Sequence, residues 1–361
     1  MGNMLNTLFG LLGGLALFLF GMEMMSDGLQ KAAGERMRYI LGLLTKNPIM
    51  GVLAGALVTA VLQSSSATTV MVIGFVSAGL MTLPQAISII LGANIGTTIT
   101  AQIIAFNISD YIYPIIFIGF LIGFLSKKEV LKNVGNTILG FGILFVGIEV
   151  MGTTMKPLAT SPMFLDTIGK VADVPILGLL LGTGITLVVQ SSSAVIAVLQ
   201  NFAAQAGPDG VSSILGLQGA IPILLGSNIG TTITALLASI GQSRDAKRTA
   251  VAHTVFNVTG SVVFMFFIPW YAKLVEMVSP KGVEVDVISR QIANAHTGFN
   301  VVNTIIWIPL IWLMVKIVMW ILPDKEVEES KSHVQFLDVH VVNQPVVALH
   351  LVSKEIIYYA T

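Results

Sequence analysis

Seven apolar runs along the chain read as membrane spans, at about 5–25, 83–106, 112–126, 133–155, 213–241, 246–270 and 291–321. A helix needs roughly 20 apolar residues to cross a bilayer, so the run at 112–126 is a short one. Two further apolar stretches, 48–80 and 174–206, are too long for one straight span, and each carries Gln-Ser-Ser-Ser near its centre. The pattern predicts a re-entrant hairpin at both places, two short helices joined by a polar turn at membrane depth. Such irregular backbone is tolerated there only where protein or a watery cavity surrounds it. After Pro323 the pattern changes. Residues 323–361 are charged and then moderately amphipathic, too polar to span, and read as a cytoplasmic linker followed by one helix.

Blocks of sequence recur. VTAVLQSSSAT (58–68) returns as ITLVVQSSSAV (185–195), FGMEMM (20–25) as VGIEVM (146–151), and LGANIGTTIT (91–100) as LGSNIGTTIT (225–234). Three matched blocks in the same order predict a duplication, with one repeat over 1–126 and a second over 133–270, before a final span at 291–322. A separate pair, AHTVFNV (252–258) and AHTGFNV (295–301), joins the last two spans.

Charge orients the repeats. Lys31, Arg36, Arg38 and Lys46 follow the first span, Lys127, Lys128 and Lys132 fill another loop, and Arg244, Lys247 and Arg248 a third. The opposite loops hold Lys156, Lys170, Lys273, Lys281 and Arg290, offset by Asp166, Asp173, Glu276, Glu284 and Asp286. Positive charge collects on the cytoplasmic side, which predicts a multi-pass protein of the inner (plasma) membrane with its N-terminus outside and its C-terminus cytoplasmic. The first hairpin then enters from the cytoplasm and the second from outside, so the repeats are inverted. The expected fold class is an all-α polytopic membrane protein of two inverted repeats, each with a re-entrant hairpin, plus an extra C-terminal span. Inverted repeats with interrupted helices are an architecture of secondary transporters, whose substrates bind at the repeat interface.

Composition agrees. Of 361 residues 54% are hydrophobic and 11% charged, against about 25% charged in soluble domains. Zero net charge gives no reason to expect a nucleic-acid partner, and the absence of Cys excludes disulfides and thiolate chemistry. No Lys or Arg precedes the first apolar run and no small-residue cleavage site follows it, which favours a first span over a cleaved signal peptide.

The chemistry sits in the repeated blocks. At a hairpin tip one helix ends and another starts, and the start exposes unpaired N–H groups and a partial positive charge. Serine is a favoured N-cap, and such an end is an anion site built without a basic side chain. Ser64, Ser65 and Ser66, with Ser191, Ser192 and Ser193, are the candidate anion ligands. The ending helix presents carbonyls suited to Na⁺. Candidate Na⁺ ligands with neutral oxygens are Gln63, Thr68, Asn94, Thr97 and Thr98 in the first repeat, and Gln190, Asn228, Thr231 and Thr232 in the second. The Gly-x-Asn-x-Gly segments are expected to unwind their spans. No ionisable side chain lies between residues 47 and 109, and only Asp209 between 174 and 243. A charged side chain at bilayer centre costs at least ~2.5–3.5 kcal/mol, so neutral ligands are the cheap way to build a site there. Glu23 and Glu149 read as structural or supporting groups near span ends. His253 with Asn257, and His296 with Asn300, each share a helical face four residues apart and read as packing or supporting groups.

On QSSSAT (63–68), GANIGTT (92–98), QSSSAV (190–195), GSNIGTT (226–232) and the two AHTxFN segments, the chain resembles the type II sodium–phosphate cotransporters of bacteria and animal epithelia. The resemblance covers about residues 1–322. It implies Na⁺-coupled uptake of inorganic phosphate, with substrate and Na⁺ held by the QSSS hairpins, no cofactor beyond Na⁺ as coupling ion, and no enzymatic activity. The animal members carry His-Asp-x-Phe-Asn, whose Asp is tied to an extra Na⁺; here Thr254 and Thr297 stand in that place, so a third Na⁺ and net charge movement are not carried over. The tail from Val334 resembles the opening helix of a PhoU-like regulatory domain. The expected partners are inorganic phosphate, Na⁺ and membrane lipid, with a homodimer as one arrangement. Competing readings are transport of arsenate or sulfate, a passive channel, and an intramembrane serine hydrolase using His253 or His296 as base.

Overall fold

A computed structural model describes residues 2–33, 47–106, 108–159, 161–324, 349 and 351–354. Among these there is no β-sheet, only one isolated bridge, Ala206 to Ser213. Contacts divide the chain into a large unit, Met1–Val318, and a C-terminal unit, Met319–Thr361. The expected PhoU-like helix lies almost wholly outside the described residues, as do Arg36, Arg38 and Lys46 of the first basic loop.

In chain order the helices begin with α1 (Gly2–Ala33), followed by α2 (Pro48–Leu62), α3 (Ser65–Ser77), α4 (Leu83–Ile104) and α5 (Ile112–Leu125). Then come α6 (Glu129–Ala159), α7 (Pro162–Asp173), α8 (Pro175–Val189), α9 (Ser192–Ala203), α10 (Gly216–Ala238) and α11 (Arg244–Met265). Three helices follow, α12 (Ile268–Val278), α13 (Glu284–Trp307) and α14 (Ile311–Ile321). Among the described residues five stretches are long and apolar enough to cross a membrane, or seven if each of two bent pairs is one span. The fold is therefore the expected all-helical polytopic one.

Local chemistry sets these boundaries. Asn47 accepts from Ile49 N at 2.9 Å, and Pro48 occupies the first turn of α2; proline is well placed where no helical N–H is needed. At the start of α4, Gln85 Oε1 accepts from Thr82 N at 2.9 Å and Thr82 Oγ1 at 2.8 Å. The turn before α10 is held by Asp209, whose carboxylate accepts from the Ser212 hydroxyl and from Ser212 N and Val211 N. Those bonds, the Ser212 hydroxyl first, lower its pKa to about 2.

α1 and α6 run antiparallel in close contact: Gly14 faces Gly147, Gly21 faces Leu144, and Gly28 faces Thr137. α2 lies on α4 and, in the second repeat, α8 lies on α10. α4 and α10 are the buried pillars, 78% and 72% of their span windows being covered, against 22% for α1.

Three expectations need correction. The Gly-x-Asn-x-Gly segments do not unwind, because α4 and α10 are continuous through Asn94 and Asn228. Their glycines serve close approach instead. A Cβ on Gly92 would stand 1.9 Å from Val52 O, and one on Gly226 would stand 2.0 Å from Leu179 O. The span expected at 246–270 stops at Met265, and a 93° bend leads into α12. The stretch before the second hairpin holds a helix, α7, at 108° to α8.

Candidate functional site

Each QSSS segment is a helix–turn–helix tip. α2 ends at Gln63 with φ 52°, and α8 ends at Gln190 with φ 56°. Among the described residues these are the only non-glycine residues with positive φ. A left-handed side-chain-bearing residue costs roughly 1–2 kcal/mol, and strain of this kind concentrates at functional sites. Gln63 is tied down through its amide: Oε1 accepts from Thr100 Oγ1 at 2.8 Å, and Nε2 donates to Ala60 O.

The next residue starts the second arm. Ser64 Oγ accepts from Ala67 N at 3.1 Å, and Ser191 Oγ accepts from Ala194 N at 3.2 Å. The first serine of each run is thus consumed as an N-cap. Ser65, Ser192 and Ser193 are 7%, 4% and 8% exposed, and among the described residues their hydroxyls have no hydrogen-bond partner. Replacing Ser64 with Ala is therefore expected to lower stability by about 1 kcal/mol, read as a fall in apparent melting temperature. Ser65→Ala should leave that temperature nearly unchanged.

The two tips meet. Gln63 to Ala67 and Gln190 to Ser193 line one cavity of about 300 Å³, at the small end of ligand sites (~300–1,000 Å³). Thr234 Oγ1 donates to Ser66 Oγ at 3.1 Å, a direct bond between the repeats at its wall. The remaining lining residues are Met22, Glu23, Ser26, Asp27 and Gln30 of α1, and Thr231 of α10. Among the described residues no Lys or Arg lines the cavity. Positive potential there comes from the starts of α3 and α9, while Glu23 and Asp27 supply carboxylates; Asp27 also lies 3.9 Å from Lys31 in an exposed pair.

Of the other expected ligands only Thr231 lines the cavity. Thr97 Oγ1 donates to Ala93 O, Thr98 Oγ1 to Ile95 O, and Thr232 Oγ1 to Ile229 O, each on its own helix. Thr231 likewise donates to Ser227 O. Thr68 Oγ1 is shared between Thr59, which donates to it at 2.9 Å, and Ser64 O. Asn94 Nδ2 donates to Ile90 O, which turns Oδ1 towards His253 Nε2 at 3.4 Å and Asn257 Nδ2 at 3.3 Å. Asn228 repeats this, with Nδ2 on Leu224 O and Oδ1 3.2 Å from His296 Nε2. Nδ1 of both histidines and Oδ1 of Asn257 and Asn300 are buried without a hydrogen-bond partner. Two matched polar clusters therefore lie inside the bundle, apart from the tips. Glu149 lines a different cavity, with Thr153, Lys156, Asn201 and Gln205. Among the described residues no group of three or more His, Asp or Glu could hold a metal ion.

Ser26, Asp27, Gln30, Thr100 and Thr234 were not singled out from the sequence. A signal for the first three exists: Glu23, Ser26, Asp27 and Gln30 are spaced i, i+3, i+4, i+7, a polar stripe on one face of an otherwise apolar helix.

A helical membrane protein with duplicated halves and paired re-entrant hairpins, whose polar tips share one cavity, belongs by its architecture among the secondary transporters. The family model described as Na⁺/Pi-cotransporter matches residues 17–153 and again 150–279, and the chain belongs to that family. It is a transporter family, so the hydrolase reading falls. "Uncharacterized protein YqeW" of Bacillus subtilis is 36% identical over 308 residues, 85% of this chain and 96% of that protein. "Putative inorganic phosphate export protein YjbB" of Salmonella typhimurium is 26% identical over 97% of this chain, which spans 62% of that relative's length. "Sodium-dependent phosphate transport protein 2A" of Rattus norvegicus is 39% identical over 97 residues, 26% of this chain and 15% of the relative. No solved structure matches the chain.

Proposed function

We propose that this protein is a Na⁺-coupled symporter of inorganic phosphate that works by alternating access across the inner membrane, with its N-terminus outside and its C-terminus cytoplasmic. The observation that carries the reading is one cavity holding two serine-capped helix starts and two carboxylates, with no basic side chain among the described residues. Ser65, Ser192 and Ser193 donate to phosphate oxygens, and the free N–H groups of α3 and α9 add partial positive charge. Glu23 and Asp27 beside a phosphate would repel it, since unit charges a few ångströms apart interact by about 4 kcal/mol at an effective dielectric near 20. Bound Na⁺ relieves that repulsion, which is a physical reason for coupling. Gln63 and Gln190, at the carbonyl ends of α2 and α8, are placed to share Na⁺ with the anion. The Asn94–Asn257 and Asn228–Asn300 clusters, with their unpaired oxygens, offer neutral ligands at a second level. The repeats run over 1–126 and 133–270 in this reading.

A symporter runs in whichever direction its gradients point, and the export named for YjbB is a second reading of the same site. The test is ³²P-phosphate flux in proteoliposomes with membrane potential clamped. An inward Na⁺ gradient is expected to drive uphill accumulation, and a reversed gradient to drive loss. Flux indifferent to Na⁺ would replace the symporter with a channel. Full competition by sulfate at equal concentration would move the substrate class away from phosphate.

A further inference from the structure

The two repeats are alike in sequence at the tips but are not in the same state. The second arms, α3 and α9, correspond residue for residue once QSSS is superposed, so Ala67 matches Ala194, Val70 matches Ala197, and Gly74 matches Asn201. α9 packs against α6, whereas its mate α3 makes at most marginal contact with α1. The exposure of the matched faces follows. Val70 is 45% exposed and Ala197 is fully buried; Ala67 lines the tip cavity and Ala194 is 1% exposed.

Hydrogen bonds accompany the closed side. Asn201 Nδ2 donates to Ile148 O of α6 at 2.7 Å. Gln200 Nε2 donates to Ala101 O at 3.0 Å and Ser289 O at 2.9 Å, reaching the end of α4 and the start of α13. The matching positions on α3 are Ile73 and Gly74, which have no side chain able to make these bonds, and a Cβ added to Gly74 would meet nothing within 4 Å.

The two carboxylates mark the two faces. α1 and α6 are antiparallel, with Gly14 opposite Gly147 and Gly21 opposite Leu144. Gly14 lies between Gly147 and Met151, so Glu149 is level with about residue 14 of α1, roughly 14 Å along the axis from Glu23 at 1.5 Å per residue. The tip cavity opens beside Glu23, while beside Glu149 lies a separate cavity of about 580 Å³ that contains no tip serine.

We infer that Gln200 and Asn201 form a polar latch that shuts the Glu149 face, that the structure is the state open to the Glu23 face, and that the cavity beside Glu149 becomes the second mouth of the phosphate path when the latch releases. The two gates are chemically unequal: one is hydrogen-bonded shut, and its repeat mate rests open. The geometric claim stands on its own, and only its meaning for transport rests on the alternating-access reading.

The chain has no cysteine, so single cysteines report access directly. Ala67→Cys and Ala194→Cys are compared for their rate of labelling by a water-soluble maleimide in detergent. Ala67→Cys is expected to label fast and Ala194→Cys to be protected. Adding Gln200→Ile with Asn201→Gly, the residues of the first repeat, removes three hydrogen bonds and should raise Ala194→Cys labelling by roughly tenfold. Equal labelling of the two cysteines in the otherwise native chain overturns the proposal, as does undiminished protection of Ala194→Cys in the latch variant. Should that variant fail to fold, the reverse graft decides. Ile73→Gln with Gly74→Asn is expected to slow Ala67→Cys labelling severalfold, and an unchanged rate counts against the latch. Labelling needs no transport, so a protein that labels as expected yet moves no phosphate sinks only the symporter reading.

Discussion

Alanine in place of both Ser65 and Ser192 is expected to cut Na⁺-driven phosphate uptake by roughly 100-fold or more. A hydrogen bond to a charged oxygen is worth ~1.5–3 kcal/mol, so each lost hydroxyl weakens anion binding by about tenfold at least. The loss falls on binding because these two hydroxyls support nothing else in the fold. Their neighbours Ser64 and Ser191 do the capping, so the tips keep their shape. Initial rates against phosphate concentration, alongside the melting temperature of the purified protein, separate the effects. A double variant that transports normally would show that the anion lies elsewhere, whatever its stability.

The second large effect is steric. Gly92→Ala or Gly226→Ala places a Cβ within 2.0 Å of Val52 O or Leu179 O, where carbon–oxygen contact cannot be made. The hairpin arm α2 or α8 must then be pushed off its pillar helix, and overpacking of this kind costs typically ~1–3 kcal/mol and sometimes more. Because the blocking atoms are backbone carbonyls rather than movable side-chain ends, the upper end of that range is expected, with a sharp drop in folded, monodisperse protein on size exclusion. Gly74→Ala, where the space is open, is the control and should behave as the native chain. Native yield from Gly92→Ala would mean that α2 and α4 do not cross as closely as the structure has them.

Much of the fold was legible because it is written in local patterns. Helix breaks fall at both QSSS runs, as expected of a Ser run inside an apolar stretch, where Ser favours a new N-cap. The glycine segments misled for a related reason. Gly-x-Asn-x-Gly weakens an isolated helix, but in the bundle the same glycines let α2 and α8 come into backbone contact, and that packing outweighs the propensity. Asn94 and Asn228 were read as neutral Na⁺ ligands on unwound segments. On their continuous helices both turn Oδ1 towards a histidine, His253 and His296, a pairing between helices that the sequence does not show. Only Thr231 of the six NIGTT candidates lines the cavity.

By itself the amino-acid order determined membrane residence, the duplication and where each polar break falls, because hydrophobic run length and capping act over a handful of neighbouring residues. That Ser64 and Ser191, read as anion ligands, are the caps was seen only in the structure. The meeting of α1's polar stripe with both tips, the pairing of Thr234 with Ser66 and the unequal closure of the two repeats were decided only in three dimensions. Those depend on how helices distant in the chain rotate and approach, and near-identical motifs in the two halves end in different surroundings once Asn201 holds one arm and Gly74 leaves the other free.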